Sequence, residues 1–320
     1  MGTCCGVSLR ASLAREADDR FDPAGRIRRE GLEGGGEAVG RVAVVTDSAS
    51  DLPLDRAARA GIVVVPLIVR FGDESFRVGV ELSTEAFWER MLASGASFPT
   101  TAAAAPGDFQ AAFESAFAAG AEAVVCITVG SKLSGTHKSA EIARGLLSER
   151  EIHIVDSQLA SMGVGMLAEI AAEVAAAGTP AAEIARTVQA MIPRIDLYVA
   201  IDTLEYLRRG GRISAAQAAI GGVLSVKPII TVRDGVVETA DRVRTRGKAR
   251  ERVLELLAAA PVERAALLYT PGGEIDAFRS AFLERVPGGL PADRVTIQLV
   301  GASVGPHLGP GCVGGVVLRA

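Results

Sequence analysis

The segment Val124-Val125-Cys126-Ile127-Thr128 runs into Gly130-Ser131-Lys132-Leu133-Ser134-Gly135-Thr136 and then into Ala140, Ile142, Ala143, Leu146 and Leu147. An unbroken apolar run, a loop dense in hydroxyls and glycine, and apolar positions at helical spacing read as strand, loop and amphipathic helix. The same design recurs at Val42 to Asp51 and at Ile152 to Ser161, and the hydroxyl pair Thr100 and Thr101 is expected to open another helix. Strands that alternate with helices restrict the chain to a parallel sheet with covering helices, whose ligand crevice lies at the carboxyl ends of the strands.

The pattern predicts strands near 42–46, 62–70, 122–128 and 151–155, and helices near 84–94, 107–119, 135–148 and 160–177, with a further helix near 181–191. Residues 70–82 read as a short hairpin or arm. Pro193 to Asp196 mark a candidate boundary, after which a mixed pattern begins. It comprises a strand from Leu197, a short helix ending at Gly210-Gly211, and a hairpin whose strands flank Arg233-Asp234-Gly235, a turn suited to Asp-Gly. Helix, strand, helix and two last strands follow. The fold class is therefore α/β in two lobes, 42–195 with a parallel sheet and flanking helices and 196–320 of mixed α/β type. Residues 1–41 mix arginines, acids and a Gly34-Gly35-Gly36 run without apolar periodicity, and are expected to be disordered.

Apolar residues make up 49% of the 320, enough for a substantial core, while a net charge of −4 disfavours general nucleic-acid binding. No run has the length and apolarity of a membrane span, and the four cysteines form no disulfide framework, so a soluble, cytoplasmic protein is expected. The three histidines, His137, His153 and His307, are scattered without metal-ligand spacing, and no protein-bound metal is expected.

Catalytic patterns occur in the wrong context. Gly301-Ala302-Ser303-Val304-Gly305 matches a hydrolase nucleophile turn, but Pro306 and Pro310 follow where that turn needs a helix. Gly309-x-Gly311-x-x-Gly314 matches a dinucleotide fingerprint but leads into a strand. What remains is a set of neutral donors on three separate loops, Thr101, Ser134 and His307, able to converge on one anionic head group. Thr101 and Ser134 equally suit helix caps, and the two roles are compatible. Asp47 and Asp156 suit loop organisation. Arg208, Arg209 and Arg212, then Arg242, Arg244, Arg246, Lys248 and Arg250, form a basic cluster that is either a solvated surface with ordinary ion pairs or a docking face for an acidic protein or a phosphate.

The ordered loops resemble the DegV family of bacterial fatty-acid-binding proteins. The pieces are Thr46-Asp47-Ser48 with Asp51-Leu52-Pro53, Pro99-Thr100-Thr101 with Pro106-Gly107-Asp108-Phe109, Leu133-Ser134-Gly135-Thr136 and Val155-Asp156-Ser157. Leu204-Glu205-Tyr206-Leu207, Gly210-Gly211-Arg212-Ile213-Ser214, Lys227-Pro228-Ile229, Arg244-Thr245 and His307-Leu308-Gly309-Pro310-Gly311 complete the set in order. The resemblance implies one long-chain fatty acid, hexadecanoate for example, with its carboxylate on Thr101, Ser134 and His307. It implies no other cofactor and no independent catalysis. A separate ATP-dependent fatty acid kinase would act on the carried acid to make acyl phosphate, and Arg212 and Arg244 match family arginines suited to docking that partner. Ala102 to Ala105 depart from the family's usual Ser-Gln-Pro-Ser, removing a polar contact near the head group. The rival classes are a lipid hydrolase using Ser134 or Ser303 with His307, a phosphoryl-transfer enzyme using the arginines, and a pure interaction module.

Overall fold

A computed structural model describes residues 41–213 and 226–320. The expectation of disorder for residues 1–41 thus lies outside the described residues, apart from Arg41, and so does Ser214.

The fully buried run β6 (Ala123–Thr128) and the mostly buried β1 (Val42–Asp47) build the centre of the first sheet, with β2 (Ile62–Val65) and the less buried β7 (Glu151–Asp156) at its edges in the order β2-β1-β6-β7, all parallel. Such runs need cover on both faces. On one face, α3 (Pro106–Ala118) and α4 (Thr136–Leu146) set Phe109, Phe113, Ala140 and Ala143 against Val45, Val124 and Cys126. On the other lie α5 (Met162–Ala176) and α6 (Ala181–Met191), whose Leu167, Ile170, Ile184 and Val188 meet Val44, Val125 and Ile127.

The second sheet has six strands, β8 (Ile195–Ala200), β9 (Lys227–Arg233), β10 (Val236–Val243), β11 (Val262–Tyr269), β12 (Val295–Leu299) and β13 (Val313–Arg319), in the order β10-β9-β8-β13-β11-β12. Only β11 and β12 pair in parallel. One face is covered by α8 (Arg246–Leu257) and α9 (Ile275–Arg285) through Val253, Leu257, Phe278 and Phe282. The opposite face packs with α5 in the same core cluster as the first sheet, so α5 lies between two sheets. An apolar helix with polar residues on no full face suits that position. The layers therefore run α3/α4, first sheet, α5/α6, second sheet, α8/α9, an α/β architecture with a parallel sheet and flanking helices.

The run predicted as one strand over 62–70 divides at Pro66. β2 joins the first sheet, while β3 (Ile68–Phe71) pairs antiparallel with β4 (Glu74–Arg77) and β5 (Thr100–Ala102) in a small third sheet. Pro66 lacks the N–H that a continuing ladder needs. Thr100 and Thr101 accordingly open no helix: Val69 pairs with Thr101, and α3 starts at Pro106, where the Asp108 carboxylate accepts from the Ala105 N–H at 3.2 Å. The Asp234-Gly235 turn is as expected, both residues having positive φ, 50° and 75°. Helices α1 (Leu54–Arg59) and α2 (Thr84–Leu92) precede α3, and two short helices complete the described set, α7 (Glu205–Arg209), which stops at Gly210-Gly211, and α10 (Gly305–Leu308). The latter corrects the expectation that no helix follows Gly301-Ala302-Ser303-Val304-Gly305. Pro306 sits in its first turn, where a missing N–H leaves no hydrogen bond unmade.

Candidate functional site

The carboxyl ends of β1 and β6 and the inner face of the second sheet border a cavity. Leu197, Val199, Ile230, Val232, Val237 and Leu268 line it from the second sheet. Ala49, Leu67, Val129, Leu133 and Ala160 line it from the loops of the first. The polar exceptions are Thr101, Ser134, Ser161, Arg212, Ser303 and His307. An apolar chamber with a few convergent polar groups is the common form of a small-molecule site.

All three donors singled out in the sequence therefore line this cavity. Pairing of β5 with β3 presents Thr101, and α10 presents His307, whose Nε2 lies 3.1 Å from Thr101 Oγ1. Ser134 sits one residue before the N-cap Gly135 of α4, and its Oγ shares a 2.8 Å hydrogen bond with Thr136 Oγ1 and accepts the Thr136 N–H at 3.3 Å. Neither Thr101 nor Ser134 is a helix N-cap. A methyl on Gly135 would meet Ala103 at 3.7 Å, so the alanine run approaches the Ser134 loop.

His307 is seated without its own slack. A Cβ on Gly210 would fall 2.0 Å from its Nδ1, so α7 reaches the ring only because residue 210 has no side chain. Nδ1 is buried with no hydrogen-bond partner among the described residues. Burial, and then the nearby Arg212 charge, push the imidazole down to about 4, leaving it neutral at pH 7. A buried neutral ring bonded to a hydroxyl can orient an incoming oxygen without a fixed ion pair.

Arg212, one of the two arginines expected to dock a partner, lines this chamber. It is half-buried, with Nε donating to Leu133 O at 3.1 Å and Nη1 to Gly210 O at 2.6 Å. Leu133, Ser134, Arg212 and Val237 also border a more polar groove with Ser131 and Lys132, which adjoins the chamber through those four residues. Lys132 Nζ donates to Asp234 O at 2.9 Å across the groove. Arg244 is exposed and not part of the cavity lining. The rest of the basic cluster is largely an ordinary charged surface: Arg208 pairs with Glu205, Arg246 with Asp202 and Arg250 with Glu274, and Arg209 lies over the Phe98 ring.

Two residues given no site role from the sequence meet here, Ser161 in the lining and Asp51 bonded to it. Ser161 has φ 54° and ψ −146°, a region almost reserved for glycine and worth about 1–3 kcal/mol of strain. Its hydroxyl donates to Asp51 Oδ2 at 2.5 Å. Burial raises the Asp51 carboxyl to about 7 and that of Asp47 to about 6. Asp47 accepts from Ala49 N and Val129 N, and Asp156 from Ser131 N and Gln158 N, so both organise loops as their positions suggested. Asp51 had its place in the Asp51-Leu52-Pro53 piece and Ser161 only its place after β7 in a loop rich in hydroxyls, and neither signal assigned a role. Ser303 is 2.9 Å from Ser48 Oγ, and neither Ser134 nor Ser303 is hydrogen-bonded to an imidazole. Among the described residues no cluster of three metal-ligating side chains occurs, and no helix is long and apolar enough to cross a membrane.

This architecture is shared. A protein from Thermus thermophilus, described as a fatty-acid-binding DegV family protein, superposes with a TM-score of 0.78 at 34% identity, covering 88% of this chain and 100% of that one. DegV from Bacillus subtilis, described as a fatty acid binding protein, gives 0.75 at 31% identity, covering 87% and 98%. In sequence, a DegV domain-containing protein of Caldanaerobacter subterraneus is 36% identical over 278 residues, 86% of this chain and 97% of its own length. The model of the family described as "Uncharacterised protein, DegV family" matches residues 41–320. The chain belongs to the DegV family.

Proposed function

We propose that this protein is a non-catalytic, cytoplasmic carrier that encloses one long-chain fatty acid between two lobes, 42–195 and 196–320. The acid's carboxylate rests on Thr101, Ser134 and His307, and the carrier presents it to a separate fatty acid kinase for conversion to acyl phosphate. The observation that carries this reading is an apolar chamber whose lining includes those three groups and Arg212. Two relatives more than 30% identical, described as fatty acid binding, add support.

Burying a methylene contributes ~0.8 kcal/mol, so about 14 of them give roughly 11 kcal/mol before the costs of association. Each hydrogen bond to a charged head group adds about 1.5–3 kcal/mol and fixes its place. The tail supplies the affinity and the hydroxyls the register. Arg212 in the lining attracts the carboxylate, and exposed Arg244 is the proposed contact to an acidic kinase surface.

Native mass spectrometry with solvent extraction tests the reading. One long-chain fatty acid per chain is expected, with occupancy weakened in folded Ser134→Ala. A chamber that stays empty after incubation with fatty acids, or turnover of acyl esters or ATP by the protein alone, overturns it.

A further inference from the structure

His307 reaches the chamber at the end of a turn that begins at Gly301, and that turn is held from outside the chamber. Gly301 O accepts from Val304 N at 3.2 Å and from Gly305 N at 2.7 Å, and Val304 O accepts from His307 N at 3.0 Å. Gly301 N itself donates to Asp51 Oδ1 at 2.9 Å. Immediately before it, Val300 O accepts from Trp88 Nε1 at 2.7 Å. The entry to the His307 turn is thus pinned at two successive residues by side chains distant in sequence.

Asp51 is the more demanding pin. It is buried, adopts a left-handed backbone with φ 52°, and spends its second oxygen on the Ser161 hydroxyl. Ser161 would ordinarily turn its oxygen toward the first N–H groups of α5 as the N-cap. It makes no such bond, and its backbone is held in an unfavourable conformation. Its N–H is fixed by Ala49 O at 2.8 Å. The fit leaves no room to slide, because a Cβ on Gly301 would lie 2.9 Å from Asp51 Oδ1 and one on Gly165 would lie 2.9 Å from Ser50 O. Ser161 and Ser303 both line the chamber, so this clasp borders the ligand space without supplying the groups assigned to the head.

We propose that Asp51 is a positioning residue for ligand retention: by holding Gly301 N and the Ser161 hydroxyl together, it sets the Gly301–His307 turn and hence where the imidazole stands. The retention part of this inference rests on the fatty-acid reading above; the placement of the ring does not.

The test uses the full chain with Asp51→Ala, Asp51→Asn and Ser161→Gly. Two readouts are taken: imidazole Cε1–H resonances of the three histidines in ligand-free protein, and the rate at which a bound fluorescent fatty acid is displaced by excess hexadecanoate. Asp51→Ala should move the His307 resonance, leave those of His137 and His153 in place, and raise the displacement rate roughly tenfold, since such changes act mainly on dissociation. Asp51→Asn keeps an oxygen for Gly301 N and should restore the resonance and bring the rate to within about threefold of the parent. A folded Asp51→Ala protein with an unmoved His307 resonance overturns the proposal. If that variant does not fold, Ser161→Gly decides: it removes the hydroxyl while tolerating φ 54°, and an unmoved resonance there is equally fatal. Failure of the parent protein to take up fatty acid sinks the carrier reading instead, and the resonance comparison still decides the role of Asp51.

Discussion

Gly210→Ala is a single methyl that tests whether the seat of His307 governs ligand binding. Gly210 has φ −77° and ψ −5°, a conformation alanine adopts freely, so the backbone does not resist the change. The obstacle is steric: the new Cβ would lie 2.0 Å from Nδ1, 2.7 Å from Cε1 and 3.2 Å from Cγ of His307. Contacts below 3.0 Å are essentially never tolerated, so the ring or α7 must retreat by about 1 Å. Since Cγ is also crowded, rotation of the ring alone does not relieve the clash. Overpacking of this kind costs about 1–3 kcal/mol, and loss of the 3.1 Å Thr101–His307 hydrogen bond costs about 0.5–1.5 kcal/mol. We expect lower thermal stability and a fatty-acid Kd weakened about tenfold, equivalent to ~1.4 kcal/mol. Calorimetric titration and thermal melts measure both. A Gly210→Ala protein of unchanged affinity whose His307 resonance has shifted would show that the ring does not hold the carboxylate.

The buried Asp51 carboxyl should leave a signature in stability against pH. A carboxyl raised from 3.8 to about 7 binds a proton more readily folded than unfolded, so its contribution falls as pH rises from about 4 to 7 and then levels. Relative to Asp51→Asn, the parent should lose about 2–3 kcal/mol between pH 5 and pH 8 by urea unfolding, at 1.36 kcal/mol per unit; a constant difference would refute the burial argument, and the comparison cancels the opposite slope of His307, which gains stability as pH rises from about 4 to 6.5. Charge reversal separates the two arginines: Arg244→Glu should weaken coupling to a kinase in an acyl-phosphate assay and leave fatty-acid binding unchanged, whereas Arg212→Glu should weaken binding itself, and the reverse pattern would exchange their roles.

Much of this fold is written locally. The runs VAVVTD and AVVCIT carry their strand and burial pattern in their own composition, EIHIVD carries its strand, and Asp234-Gly235 carries its turn in backbone preference. Thr101, Ser134 and His307 stood out as polar groups on three separate loops, and all three line the one cavity. Thr101 misled as a cap because its partner strand, β3, is far upstream, and a three-residue strand has no period of its own. Arg212 belonged by composition to a basic cluster, and only the fold separates it from Arg244 by turning it toward Leu133 O. Asp51 and Ser161 are 110 residues apart and meet by packing, which no pattern in either segment records.

The position of β13 bears on when the protein becomes able to do anything. It lies between β8 and β11, antiparallel to both, yet follows both in the chain. Leu197 and Val199 on β8 and Leu268 on β11 wall the chamber, so that wall is split until β13 is inserted. A nascent chain emerging from the ribosome can close the parallel sheet of β1, β2, β6 and β7 early, from neighbouring segments, while the opposite wall waits for residues 313–319. Pairing across such sequence separations is slow. Strand order thus leads us to expect a half-built container during synthesis, with one apolar side of α5 uncovered until residues 313–319 arrive.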